Sequence, residues 1–177
     1  SYEFFRELET SKCTSQNNGW SPEHLIIKNK DVLMGIIPNF KKNNSNGEYV
    51  FDHIFANAYS QIGKNYYPKY LSAIPFTPVK RNKFFYTDKN KISLENISKN
   101  LISFFIKNKI SSFHINFIDK IMSDKLNQQK FSQRLGMQYY WYNQSFETFN
   151  CFLSSLKRTK RKNIIKKRNF LKDEEVK

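Results

Sequence analysis

Between Gly47 and Pro78 the chain reads GEYVFDHIFANAYSQIGKNYYPKYLSAIPFTP, and most residues able to carry chemistry sit in this block. Glu48, Asp52 and His53 are candidates for moving a proton, because a carboxylate or imidazole in a partly buried cleft can be tuned to do so. Each has a structural alternative. Asp52 can serve only as a helix N-cap, and Glu48 can be a strand carboxylate paired with a nearby lysine. Tyr66, Tyr67 and Lys69 flank Pro68, so hydroxyl and ammonium groups ride on a stiff backbone, which suits substrate positioning with Thr77 close by. The same pattern also describes an edge strand protected by proline and lysine.

Outside the block, His114 shares a polar strand face with Ser112 and Asn116, either for proton transfer or for contact with solvent. Tyr139 to Tyr142 is an aromatic run in which half the rings should be core. The other half, Trp141 among them, can line an acyl or sugar pocket. Lys160, Arg161 and Lys162 belong to a basic run that suits phosphate contact or a solvated helix. His24, His53 and His114 lack ligand spacing, so no metal site is expected. P-loop, nucleophile-elbow and dinucleotide fingerprints are all absent.

The elements that must hold these groups alternate between periods of two and 3.6. Tyr2 to Glu9 reads as a helix end. His24 to Lys28 and Val32 to Phe40 read as a hairpin of strands, and Glu48 to Phe51 as a short strand-like run. Asp52 caps a helix reaching about Ile62 and stopped by Gly63; Tyr66 to Ala73 is extended, and Pro75 to Pro78 turns. Lys83 to Tyr86 is a short strand. Ser93 caps a helix from Leu94 to about Lys109, with Leu94, Ile97, Leu101, Phe104 and Phe105 on one face. Ser111 to Phe117 alternates as a strand, Ile121 to Leu135 is helical up to Gly136, and Met137 to Tyr142 reads as a strand. Ser145 caps a last helix. This order predicts an α/β (α+β) fold in which the strands starting at Val32, Tyr66, Ser111 and Met137 share one sheet.

Several words of the sequence resemble the peptidoglycan biosynthesis/recognition family, Fem-like relatives of the GNAT acyltransferases. They are GW-S-P-E-HL (Gly19 to Leu25), S-N-GEYVFD (Ser45 to Asp52), YYPKY (Tyr66 to Tyr70), PFTP, SSFH (Ser111 to His114), Q-Y-Y-W-Y-N (Gln138 to Asn143) and KRTKRKNI (Lys157 to Ile164). Relatives favour histidine where Asn44 and Tyr140 stand. The resemblance implies a GNAT-like mixed sheet flanked by helices, spanning residues 1–156. A basic C-terminal helix, 157–177, would lead into a further half. It also implies an N-acyltransferase acting on an amine in cell-wall metabolism, with acyl-CoA or aminoacyl-tRNA as donor. Lys160, Arg161 and Lys162 would then meet the donor's phosphates. A nucleic-acid-binding module and a non-catalytic recognition half are the rival readings.

Net charge is +15 from 30 basic and 15 acidic residues, and Lys157 to Lys177 hold ten of the basic and three of the acidic ones. The charge is thus concentrated in one tail that favours polyanions. Cys13 and Cys151 stand alone, which fits a reducing cytoplasm, and the apolar run Val32 to Ile37 is too short to span a bilayer. The tail yields a test. Against RNA, log K should fall with log salt at about 0.7 to 0.9 per phosphate contact, and replacing Lys160, Arg161 and Lys162 with alanine should flatten the slope by two to three contacts. A donor with only a few phosphates, such as acyl-CoA, should show a shallow slope throughout. Tight, salt-resistant and sequence-selective RNA binding would favour the nucleic-acid module.

Overall fold

The computed structural model describes residues 1–50, 52–88 and 93–173. It forms two compact units, residues 1–136 and 137–177. In the first, α1 (Tyr2–Thr10) precedes β1 (Trp20–Pro22), β2 (Leu25–Asn29), β3 (Val32–Ile37) and β4 (Phe40–Lys42). Then come α2 (His53–Gln61), β5 (Lys69–Ser72), β6 (Phe85–Tyr86), α3 (Leu94–Lys107), β7 (Phe113–Ile115) and α4 (Lys120–Gln128). The second unit holds α5 (Phe149–Ser155) and the basic α6 (Arg158–Asp173). The fold is mixed α+β.

The strands lie in two sheets, β1-β4-β5-β7 and β2-β3-β6. The expectation of one sheet is therefore corrected: Val32 to Phe40 splits at Pro38 and Asn39, and its two ends enter different sheets. Proline has no N–H for a ladder. The Asn39 backbone N–H donates to His24 Nδ1 at 3.1 Å, and its side-chain amide donates to the Glu23 carbonyl at 3.0 Å, in place of a strand partner. The predicted hairpin survives as β2–β3, antiparallel with a bulge at Ile27/Lys28.

In the first sheet β4 pairs antiparallel with β5, and β5 pairs parallel with β7. Alternation along β5 gives the sheet two faces. Tyr70 faces α3, within ring contact of Phe104 and Phe105, and Phe105 meets Phe113 at 4.7 Å. That side holds the larger core: Ile37, Phe84, Ile97, Leu101 and Leu126 complete it. The α3 helix forms as predicted. Ser93 accepts from the Asn96 N–H, and Glu95 sits in the first turn, where the helix dipole favours a negative charge. On the other face Leu71 and Ala73 join Trp20 and Phe40 in a second, smaller core.

Other boundaries move. Glu48 lies in an irregular stretch after the Gly47 turn rather than in a strand, with Tyr49 at φ 56°; Phe51 lies outside the described residues. The helix predicted over 121–135 begins at an Asp119 N-cap, whose carboxylate accepts from the Met122 N–H, and ends at Gln128, with Lys130 left-handed at φ 68°. Residues 137–142 form no strand, because alternation supplies faces but not a neighbouring edge to pair with. Thr148, not Ser145, caps α5. The Tyr67–Pro68 peptide is cis.

Gly47 holds the loop that delivers the chemistry-bearing residues. Its φ is +75°, and a Cβ there would lie 2.7 Å from two Phe76 ring carbons and 3.3 Å from the Trp20 indole nitrogen. Gly63 has a similar φ, +68°, with nothing within 4 Å. Gly63→Ala should cost about 1 kcal/mol from the left-handed backbone alone, and Gly47→Ala roughly twice that or more because packing adds to it. Thermal melts of the two variants decide the matter. Equal losses would mean that contact with Phe76 contributes nothing.

Candidate functional site

The site is built on the Trp20–Leu71 face of the first sheet. Register places Lys42 of β4 directly opposite Lys69 of β5, and Trp20 of β1 opposite Lys42. Both lysines are fully buried. Like charges facing across a ladder destabilise it, so a counter-charge must come from elsewhere. The loop after Gly47 supplies it. Lys69 Nζ donates to Glu48 Oε2 at 2.8 Å, to Asp52 Oδ2 in a very short contact, and to Ser45 Oγ at 2.9 Å. Lys42 Nζ lies 3.9 Å from Glu48 Oε1, donates to the Asn46 carbonyl at 3.2 Å and sits 3.7 Å over the Trp20 ring. The Trp20 indole N–H donates to the same Asn46 carbonyl at 3.0 Å.

Asp52 occupies the N-cap position of α2 but makes no side-chain cap bond. Its carboxylate points into the sheet, where the Tyr66 hydroxyl donates to Oδ2 at 2.8 Å. Tyr67 and Ser45 join hydroxyls at 2.7 Å. The second oxygens, Glu48 Oε1 and Asp52 Oδ1, are buried without a hydrogen-bond partner.

Charge states follow from this geometry. Burial pushes Glu48 up from the usual carboxylate range, against the pull of Lys69. Burial alone would raise Asp52 too, but the bonds from Lys69 and Tyr66 outweigh it and hold the acid at about 2. Desolvation lowers Lys42 to about 7, only partly offset by Glu48. Burial and the bond to Asp52 raise the Tyr66 hydroxyl well above the ordinary tyrosine range.

One member reaches the rim. His114, in register with Leu71, is half-buried on the same face. Its Nε2 lies 2.9 Å from Ser112 Oγ and 3.5 Å from the Tyr66 hydroxyl oxygen. Because Tyr66 gives its proton to Asp52, its oxygen is left to accept. The network is best satisfied by an Nε2–H directed at both oxygens, a tautomer assigned from the bonding pattern. That leaves the Nδ1 lone pair with no partner among the described residues, and it is not one of the buried orphan atoms. Burial, with the Lys69 charge beside it, lowers His114 to about 4, so the ring is neutral at neutral pH.

Glu48, Asp52, Lys69, Tyr67 and His114 thus share one network, although all but the last two are sealed from solvent. His53 lies outside it, exposed at the start of α2. Thr77 bonds the Pro75 carbonyl at 2.9 Å and shapes its own turn. In the second unit, Trp141 is exposed and packs edge-on to Phe152 at 5.8 Å, beside a shallow depression of about 480 Å³. Lys160 and Lys162 are exposed on α6 and Arg161 is half-buried. Sequence reasoning missed Lys42 and Ser45, and it read the Tyr66 hydroxyl as a substrate-positioning group rather than as a donor to Asp52. The signal for Lys42 was its place two residues after Phe40, on the same strand face. Among the described residues no cluster of His, Cys, Asp or Glu could hold a metal ion, and no helix is long and apolar enough to cross a membrane.

The class defined by these features is an α+β domain with a sealed ion cluster behind a half-buried histidine. Gly19–Leu25, Ser45–Asp52, Tyr66–Tyr70 and Ser111–His114 meet in that cluster, and Trp20 and Gly47 join Pro75–Pro78 to it through Phe76. The FemAB-like family model, described as peptidoglycan biosynthesis/recognition, matches residues 1–177, and the chain belongs to that family. No curated protein and no solved structure matches it.

Removing one partner of a buried ion pair strands the others. Lys69→Met should therefore destabilise the protein by about 3 to 5 kcal/mol. Adding Glu48→Gln and Asp52→Asn to it should recover a good part of that loss, as read by chemical denaturation of the single and triple variants. A triple variant less stable than Lys69→Met would show that the carboxylates hold the loop independently of the lysine.

Proposed function

We propose that the protein is a Fem-like N-acyltransferase that moves an acyl or aminoacyl group onto an amine of a cell-wall precursor, with His114 receiving the proton. The observation that carries this reading is the neutral His114 ring, its Nδ1 lone pair open and its Nε2 anchored by Ser112 and the Tyr66–Asp52–Lys69 chain. In the step, the amine nitrogen attacks the acyl carbonyl, the new C–N bond forms, and the ester or thioester bond to the donor breaks. The proton lost by the nitrogen goes to Nδ1, and the departing oxygen or sulfur of the donor takes one up. A weakly basic imidazole is matched to this proton, because the ammonium of a tetrahedral adduct is far more acidic than that of a free amine. The protonated ring is stabilised by Tyr66 and Ser112 accepting from Nε2–H, with Asp52 behind them.

The donor is a phosphate-bearing substrate, acyl-CoA or aminoacyl-tRNA, and Lys160, Arg161 and Lys162 of α6 are the cations offered to it. Glu48, Asp52 and Lys69 act from inside by orienting Tyr66 and the Gly47 loop, with Tyr67 held through Ser45. Thr77 and Trp141 are the remaining substrate contacts assigned by this reading, and His53 is its second imidazole.

The test uses the full-length enzyme. His114→Gln should lower kcat for amine acylation by about a hundredfold or more with little change in donor KM, and His53→Ala, measured in parallel, should lower it far less. Sign follows from charge: His114 works unprotonated, so activity should persist as pH falls through the ordinary histidine range and decline only towards about 4. Wild-type kcat in His114→Gln would overturn the assignment. An acid limb that disappears in His53→Ala would move the base to His53.

A further inference from the structure

The outer face of the second sheet is apolar at positions where a solvated sheet face alternates to polar residues. Register aligns Ile26 of β2, Ile36 of β3 and Phe85 of β6 in one row across all three strands. They are 58%, 39% and 53% exposed. Leu33, 45% exposed, continues the patch beside Lys28, its partner across the bulge. Their neighbours along the strands, Leu25, Ile27, Ile37 and Tyr86, point the other way, into the larger core. Strands that are apolar on both faces have the pattern of a sheet covered on both sides. About half of each of these four side chains amounts to roughly 300 to 400 Å² of apolar surface. A standard interface buries about 800 Å² on each partner, somewhat over half of it apolar. The patch is large enough to form the centre of one.

We infer that this face pairs with the same face of a second copy of the chain, giving a two-fold symmetric dimer held by sheet-on-sheet packing. Charge selects the partner. With a net charge of +15 the chain repels its own copy, least where its charges cancel. Within two residues of these three strands, Lys28, Lys30 and Lys83 are matched by Glu23, Asp31 and Asp88. The same balance leaves the face without the excess of cations that draws a protein to an anionic lipid surface. Symmetry then fixes the contact. When two sheets pack face to face as an isologous pair, the two-fold axis lies in the plane between them. An axis along the strands sets Ile26 against the second copy's Phe85, and an axis across them sets each residue against its own counterpart. In both arrangements the central strand brings Ile36 against Ile36.

The test is light scattering on the full chain over a dilution series. Wild type should run as a dimer that dissociates on dilution. Ile36→Lys and Phe85→Lys put charge into the apolar contact and should weaken dimerisation by about a hundredfold or more. Their far-UV circular dichroism should be unchanged, because both positions are exposed in the single copy. The two native cysteines are exposed, so cross-linking uses a Cys13→Ser, Cys151→Ser background. There Ile36→Cys should join two copies through a short bismaleimide, whereas Lys107→Cys, exposed on α3, should not. A monomeric wild type overturns the inference. If vesicles of phosphatidylcholine and phosphatidylglycerol bind that monomer but not Phe85→Ser, the face belongs to a lipid surface instead. A dimer that both lysine variants leave intact, or that Ile36→Cys does not link, has its interface elsewhere and overturns the inference as well.

Discussion

Two fully buried lysines facing each other across adjacent strands set the terms for the rest of the first unit. Lys42 and Lys69 can be buried only because the Gly47 loop folds back to place Glu48 between them and Asp52 beside the second. That return requires the left-handed turn at Gly47, the close contact with Trp20 and Phe76, and the Asn46 carbonyl shared by Trp20 and Lys42. A buried ion network of this kind contributes little net stability, since desolvation of each charge offsets much of the Coulombic gain. What it supplies is geometry. Tyr66 is held by Asp52, and through Tyr66 the orientation of His114 is held as well.

Much of this was legible in the sequence, and the failures have physical causes. Local signals worked: the Ser93 cap, the apolar stripe of α3, the β2–β3 hairpin and the Gly63 stop all depend on neighbours within a few residues. Glu48, Asp52, Tyr67, Lys69 and His114 could be picked out because polar groups embedded among aromatics need a reason to be there. Lys42 was missed because its role exists only through pairing with a strand almost thirty residues away. Pro38 was a visible warning that Val32 to Phe40 could not stay in one ladder. The 137–142 run shows the opposite error, alternation without an edge to join.

The site has two depths. The charged groups Lys42, Glu48, Asp52 and Lys69 are sealed inside, while the rim is left to a half-buried imidazole and tyrosine rings. The sealed charges are little screened by salt, because solvent ions cannot approach them. The basic residues of α6 stand in the opposite condition, exposed and open to screening.

The facing lysines also act as a registration key for the first sheet. Because side chains alternate, a slip of β4 by one residue along β5 would turn Lys42 onto the α3 side of the sheet. There it would lose Glu48 and the Asn46 carbonyl, and separating a buried ion from its partner costs several kcal/mol. An all-apolar version of the same strands would tolerate that slip. The charges therefore disfavour the misaligned sheet far more than they favour the aligned one, and the fold has a single way to close.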